Sequence, residues 1–142
     1  MQHILEKLYS LHQRGIKPGL ERVEALLAAV GNPHRDLRAI HIAGTNGKGT
    51  VSSIIASVLA ESGEKVGLYT SPHLRSFNER IRINGQPISN TEVIELYNAL
   101  ETTADQIEAT FFEITTVMAF LKFKKSSSLQ VIECGLGGRL DS

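Results

Sequence analysis

The sequence carries a single cysteine, Cys134, and no tryptophan. One thiol closes no intrachain disulfide, so a disulfide-stapled scaffold is excluded and a reducing compartment suits the chain. A surplus of charge is missing as well, because 15 Lys and Arg balance 15 Asp and Glu. Proteins that grip a nucleic-acid backbone need a basic excess, so no nucleic-acid partner is expected, although a local anion site is still allowed. No apolar run approaches the roughly 20 residues that cross a bilayer. Residues 2–14 mix charged with apolar side chains, unlike a signal-peptide core. The expectation is a soluble, cytoplasmic protein with no membrane partner. What is present is ordinary for a globular chain: 142 residues, 42% of them apolar, enough for one domain to bury a core.

Apolar residues at helical spacing predict a helix over 2–14, stopped by Gly15 and Pro18-Gly19, and another over 20–30 that ends at Gly31-Asn32-Pro33. Residues 39–43 form a short β-branched strand that runs into Gly44-Thr45-Asn46-Gly47-Lys48-Gly49-Thr50. A helix follows over 51–61, with Ile54, Ile55, Val58 and Leu59 as its apolar face. A second strand over 65–69 completes a β-loop-α-β unit, which implies a parallel pair. Arg80-Ile81-Arg82-Ile83 with Asn84-Gly85 reads as a small hairpin protruding from the main sheet. Asn90 is placed to cap a helix through Leu100, and a further helix over 112–124 leads by way of a serine turn to a strand over 129–133. The fold class is α/β: a mostly parallel sheet flanked by helices, with a phosphate loop. A glycine-rich segment leaves the last strand and nothing follows it, so a truncated chain is expected.

Chemistry concentrates at residues 44–50. Glycines let a backbone turn sharply and aim N–H groups at a polyphosphate, a lysine neutralises the outer phosphates, and a hydroxyl at the helix start ligates Mg²⁺. The common pattern G-x-x-x-x-G-K-[ST] nevertheless fails, since Ile42 and Gly49 stand where glycine and a hydroxyl residue belong. The form present is G-T-N-G-K-G-T, and the plain alternative is a glycine turn with a solvated lysine. Glu133 ends an apolar strand, where ligands of open α/β sheets gather. A carboxylate there needs a partner. A metal ion is one, while the N–H groups of the next loop or Arg139 are others. Pro72 biases Ser71 toward an extended conformation that frees its hydroxyl. His73 is assigned no chemical role. Phe111 and Phe112 suit either core packing or stacking on a flat heterocycle, and Glu113 suits a helix N-terminus.

With these residues in view, 44–50 resembles the ATP loop of the Mur ligase superfamily, and the chain is similar within it to the folylpolyglutamate synthase and dihydrofolate synthase family. Further matching segments are Gly19-Leu20-Glu21-Arg22-Val23, Thr70-Ser71-Pro72-His73-Leu74, Asn78-Glu79-Arg80-Ile81 and the run from Glu133 through Gly135 to Asp141. The resemblance implies that residues 1–142 are the N-terminal part of a Mur ligase-type ATP-binding domain, in an ADP-forming ligase that joins L-glutamate to dihydropteroate or folates. It implies ATP and Mg²⁺ as cofactors. Asn46, Gly47, Lys48, Gly49 and Thr50 would bind ATP, with Lys48 catalytic, and Thr50, Ser71 and Glu133 would hold the metal. Gly19, Leu20, Glu21 and Arg22, then Thr110, Phe111, Phe112 and Glu113, and finally Asp141, would bind the pterin or folate. The chain alone is expected to be inactive, and the full-length protein monomeric. The rival readings are a cell-wall Mur ligase acting on a nucleotide-linked peptide, and a non-catalytic nucleotide-binding module.

Overall fold

The computed structural model describes residues 1–134. The chain opens with helix α1 (Gln2–Ser10), tightened at its end into a 3-10 turn (Leu11–Arg14), and α2 (Glu21–Ala29). Strand β1 (Ala39–Ile42) then leads into α3 (Lys48–Glu61) and β2 (Val66–Tyr69). A 3-10 turn (Phe77–Arg80) precedes the β3 (Ile81–Ile83) and β4 (Gln86–Pro87) hairpin. Helices α4 (Asn90–Gln106) and α5 (Phe111–Ser126) come next, and β5 (Leu129–Glu133) completes the sheet. No helix among the described residues is long and apolar enough to cross a membrane.

The sheet order is β1-β5-β2-β3-β4, with β5 parallel to both β1 and β2. The expected direct pairing of β1 with β2 is therefore corrected: the two run in the same direction but β5 lies between them. That insertion is the arrangement that brings Glu133 beside Ile42 and next to the glycine loop. The hairpin also differs from expectation. β3 pairs antiparallel with β2, so the hairpin extends the main sheet at one edge and does not stand away from it.

Helix α5 packs against α2, α4 and β2, which explains why Ile114, Val117, Met118, Ala119 and Phe123 are all buried and no single apolar stripe suffices. Gly67 lets Phe123 lie flat on β2, since a Cβ there would stand 2.4 Å from Cδ1 of the ring. On the opposite face α3 sets Ile55 and Leu59 against Val66, Leu68 and Val131. The expected apolar face of α3 is thus only half buried: Ile54 and Val58 remain 58% and 61% exposed. The cap of α4 is Ser89 rather than Asn90. Its hydroxyl accepts from the Glu92 N–H while the Glu92 carboxylate accepts from the Ser89 N–H, a reciprocal box that fixes the helix start.

Candidate functional site

The C-terminal ends of β1, β5 and β2 lie side by side, and the loop that leaves β1 leads directly into the start of α3. Gly47 sits at φ 75° immediately before the helix, a left-handed conformation that glycine adopts without strain. Lys48 is consequently the first residue of α3 and not part of the loop, with Gly49 and Thr50 in its opening turn. The first N–H groups of a helix lack intrahelical acceptors and carry the positive end of its dipole, so this turn favours an anion. Asn46, Gly47, Gly49 and Thr50 are exposed, as binding from outside requires.

Glu133 ends β5 and is only 6% exposed. Its Oε2 is buried without a hydrogen-bond partner, and a Cβ on Gly49 would lie 3.8 Å from that atom. The carboxylate therefore rests against the first turn of α3. Burial pushes its pKa up, opposed by the positive charge of Lys48 and by a hydrogen bond from the Ser71 backbone N–H. The Lys48 ammonium donates to the Cys134 carbonyl at 3.0 Å. Lys48, Ser71 and Glu133, chosen from separate parts of the sequence, are thus neighbours.

A divalent cation fits this arrangement. An orphaned carboxylate oxygen is the donor Mg²⁺ prefers, and Mg²⁺ commonly takes one or two carboxylates and completes its shell with phosphate oxygens and water. Among the described residues no group of three or more His, Cys, Asp and Glu side chains is placed to hold a metal alone. The protein's contribution is accordingly a partial shell suited to a metal that arrives with phosphate.

The two segments expected to hold a heterocycle also meet. Arg22 Nε donates to both carboxylate oxygens of Glu113, at 2.9 and 3.1 Å, and its Nη2 donates to the Lys17 carbonyl at 2.9 Å. Thr110 caps α5: its hydroxyl accepts from the Glu113 N–H and donates to Glu113 Oε1. Glu113 is 3% exposed. These contacts fasten α2 to α5 and leave Arg22 and Glu113 satisfied by one another. Gly19, at φ 100°, turns the chain into α2, where Leu20 and Glu21 are exposed. Phe111 is 4% exposed, with its ring packed against His12, Tyr9 and Phe77 and under the Arg80 guanidinium. As it stands Phe111 is a core residue, whereas Phe112, half-buried beside Tyr69, keeps accessible surface. Asp141 lies outside the described residues.

Sequence reasoning gave no role to His73, Tyr9, Glu79 or Arg80. Arg80 Nε donates to His73 Nδ1 at 2.8 Å, and Tyr9 Oη lies 3.2 Å from His73 Nε2. Because an arginine nitrogen only donates, Nδ1 accepts, which leaves the ring proton on Nε2 facing Tyr9. Burial and the Arg80 charge both push the His73 pKa down, keeping that ring neutral. The advance signal was that His73, Glu79 and Arg80 fall inside matching segments, while Tyr9 had none.

A strand, a glycine turn, and a lysine opening the following helix, with a buried carboxylate on the adjacent parallel strand, define an α/β domain of the phosphate-loop class. No family model matches the chain. It is 44% identical over 136 residues to the dihydrofolate synthase/folylpolyglutamate synthase of Bacillus subtilis, covering 90% of this chain and 32% of that protein. The structure of Escherichia coli FolC in complex with DHPP and ADP superposes with a TM-score of 0.91 at 37% identity, covering 99% of this chain and 34% of that one. The Yersinia pestis bifunctional folylpolyglutamate synthase/dihydrofolate synthase complexed with AMPPNP and a Mn ion gives 0.89 at 37% identity, over 99% and 34%. The resemblance to the folylpolyglutamate synthase and dihydrofolate synthase family is thereby established over nearly the whole chain. The chain spans about a third of the length of the relatives it matches.

Proposed function

We propose that the chain forms the nucleotide- and metal-binding part of a Mur ligase-like ATP-binding domain, in an ATP-dependent, ADP-forming ligase that adds L-glutamate to dihydropteroate or folates. The observation that carries this reading is the unpartnered Glu133 oxygen against the first turn of α3, one residue before the carbonyl that holds Lys48. The relatives contribute their names and the nucleotides and manganese found in their structures.

In the reaction so read, an oxygen of the substrate carboxylate attacks the γ-phosphorus and the bond to the β,γ-bridging oxygen breaks, so that ADP leaves with the electron pair. The glutamate amine then attacks the acyl phosphate carbon, phosphate departs, and the nitrogen loses a proton. Phosphoryl transfer asks mainly for positioning and charge neutralisation. Lys48 neutralises the outer phosphates, and the N–H groups from Asn46 to Thr50 wrap the phosphate chain. Thr50, Ser71 and Glu133 would hold Mg²⁺, which when bound supplies further positive charge to the triphosphate. Gly19, Leu20, Glu21 and Phe112 line the heterocycle's site. Arg22, Thr110, Phe111 and Glu113 give that site its shape, and Asp141 is read as a further substrate-binding residue. The setting is the cytoplasm, and the full-length enzyme acts as a monomer.

The test is a binding panel on this chain with Mg²⁺ and AMPPNP present: dihydropteroate, tetrahydrofolate and a uridine-nucleotide-linked peptide. Binding of the two pteroyl compounds alone is expected, without ADP release on adding glutamate and ATP. Binding of the nucleotide-linked peptide alone would overturn the reading.

A further inference from the structure

We propose that Glu79 and Arg80 are positioning residues for Ser71, clamping both sides of the loop that presents its hydroxyl to the cation. The inference rests on the reading of Ser71 as a metal ligand. The loop between β2 and the Phe77–Arg80 turn has no ladder of its own, and Pro72 has no N–H to contribute. Its order comes from the segment that follows. The Arg80 carbonyl accepts from the Thr70 N–H at 3.0 Å, just before Ser71, while the Arg80 guanidinium donates to His73 just after it. Glu79 continues the clamp: its Oε2 accepts from the Leu74 N–H at 3.0 Å, and its Oε1 accepts from the N–H groups of Arg75 and Ser76, each at 3.1 Å.

Arg80 is 7% exposed and pairs with no carboxylate among the described residues. A buried guanidinium without an anion lowers stability. Its contacts are spent on the loop through His73 and on the Phe111 ring, which ties the loop to the helix carrying Thr110 and Glu113. Tyr9 holds the other side of His73 and joins α1 to the same unit. Removing either clamp lets the Ser71 segment sample other conformations, and the apparent affinity falls by the fraction of time spent in the competent one. Outer-shell partners of metal ligands commonly set affinity by about 10–100-fold.

The experiment titrates this chain with Mn²⁺ in the presence of AMPPNP and reads free Mn²⁺ by electron paramagnetic resonance. It compares wild type with Ser71→Ala, Arg80→Gln and Glu79→Ala, and with each of the last two combined with Ser71→Ala. Arg80→Gln and Glu79→Ala are each expected to weaken Mn²⁺ by about tenfold, leave metal-free AMPPNP affinity unchanged, and have no further effect once Ser71 is alanine. Equal weakening in both backgrounds, or none, overturns the positioning role. If Ser71→Ala itself leaves Mn²⁺ affinity unchanged, the reading of Ser71 as a ligand falls and this inference falls with it. Should the buried Arg80 variant fail to fold, Glu79→Gln carries the test. It is expected to speed amide exchange at Leu74, Arg75 and Ser76 and to weaken Mn²⁺ less than Glu79→Ala does, and unchanged exchange contradicts the clamp.

Discussion

The Lys48 ammonium donates to the main-chain carbonyl of Cys134, the residue after Glu133, and the Cys134 N–H in turn donates to the Ile42 carbonyl at 2.9 Å. The cation that opens α3 is therefore tethered to the end of β5, and β5 is tethered to the end of β1. Lysine, carboxylate and glycine turn are held in one frame by strand pairing. A phosphate entering the site competes with a neutral carbonyl for the ammonium's hydrogen bond, and a charged acceptor is favoured there because charge-assisted bonds are roughly twice as strong.

Replacing Lys48 with alanine removes one half-buried hydrogen bond, so the stability loss is small, about 0.5–1.5 kcal/mol. AMPPNP affinity is expected to fall at least tenfold, since the lysine supplies a full charge to the phosphates. Calorimetric titration alongside a denaturation curve checks both numbers.

Glu133→Gln separates metal binding from folding. Burial holds the Glu133 pKa above the ordinary value of 4.5, so the folded chain keeps this proton more readily than the unfolded chain. The resulting stability is fully present below the ordinary value and is lost as pH rises through the raised one. Without metal at pH 7, Glu133→Gln is expected to melt at or above wild type, with the gap closing as pH falls. With AMPPNP present, adding Mn²⁺ raises the melting temperature of wild type further and gives the variant no additional rise. Thermal scans between pH 4 and 8 read all three outcomes.

Gly67→Ala introduces a methyl into the Phe123 ring, where three ring atoms lie within 3 Å of the new Cβ. Both neighbours are buried and the ring has little room to yield, so a loss of about 1–3 kcal/mol is expected from overpacking. Pairing Gly67→Ala with Phe123→Leu recovers part of that loss. Urea denaturation of the single and double variants measures the recovery.

The cap of α4 makes a prediction at acid pH. The Glu92 pKa is lowered first by its hydrogen bond with Lys122 and next by the Ser89 N–H, so the folded chain favours the ionised carboxylate. Stability from this group is present above the ordinary value and is lost as pH falls through the depressed one. Ser89→Ala is expected to cost about 1 kcal/mol, and Lys122→Ala to flatten the loss on the acid side. Melting temperatures between pH 3 and 7 show the difference in slope.

The elements legible in the sequence were those whose pattern is local. Residues 129–133 read as a strand and are one, because a short segment centred on β-branched Val131 and Ile132 lies between a serine turn and a glycine-rich stretch. The order of the strands was not legible. β1 and β2 look like neighbours until β5, more than 50 residues further on, takes the place between them. Ile54 and Val58 share helical spacing with Ile55 and Leu59, and periodicity alone does not say which of two adjacent stripes meets the sheet. Ser89 and Asn90 are both good caps, and the choice falls to the residue three positions before Glu92. In the site, Lys48 was legible as a candidate from the glycine motif between a strand and a helix, and Glu133 from its position at the end of a strand. The clamp by Glu79 and Arg80 was not, because its partners are backbone N–H groups and a histidine ring that leave no signature in composition.

The central claim is that Lys48 and Glu133 together hold a triphosphate with a divalent cation. Calorimetric titration of the chain with AMPPNP, with and without Mg²⁺, tests it most directly when repeated on Glu133→Ala. Binding that tightens with Mg²⁺ in wild type, and loses that dependence in Glu133→Ala, is the predicted result. Affinity that is the same with and without Mg²⁺ in both proteins would contradict it.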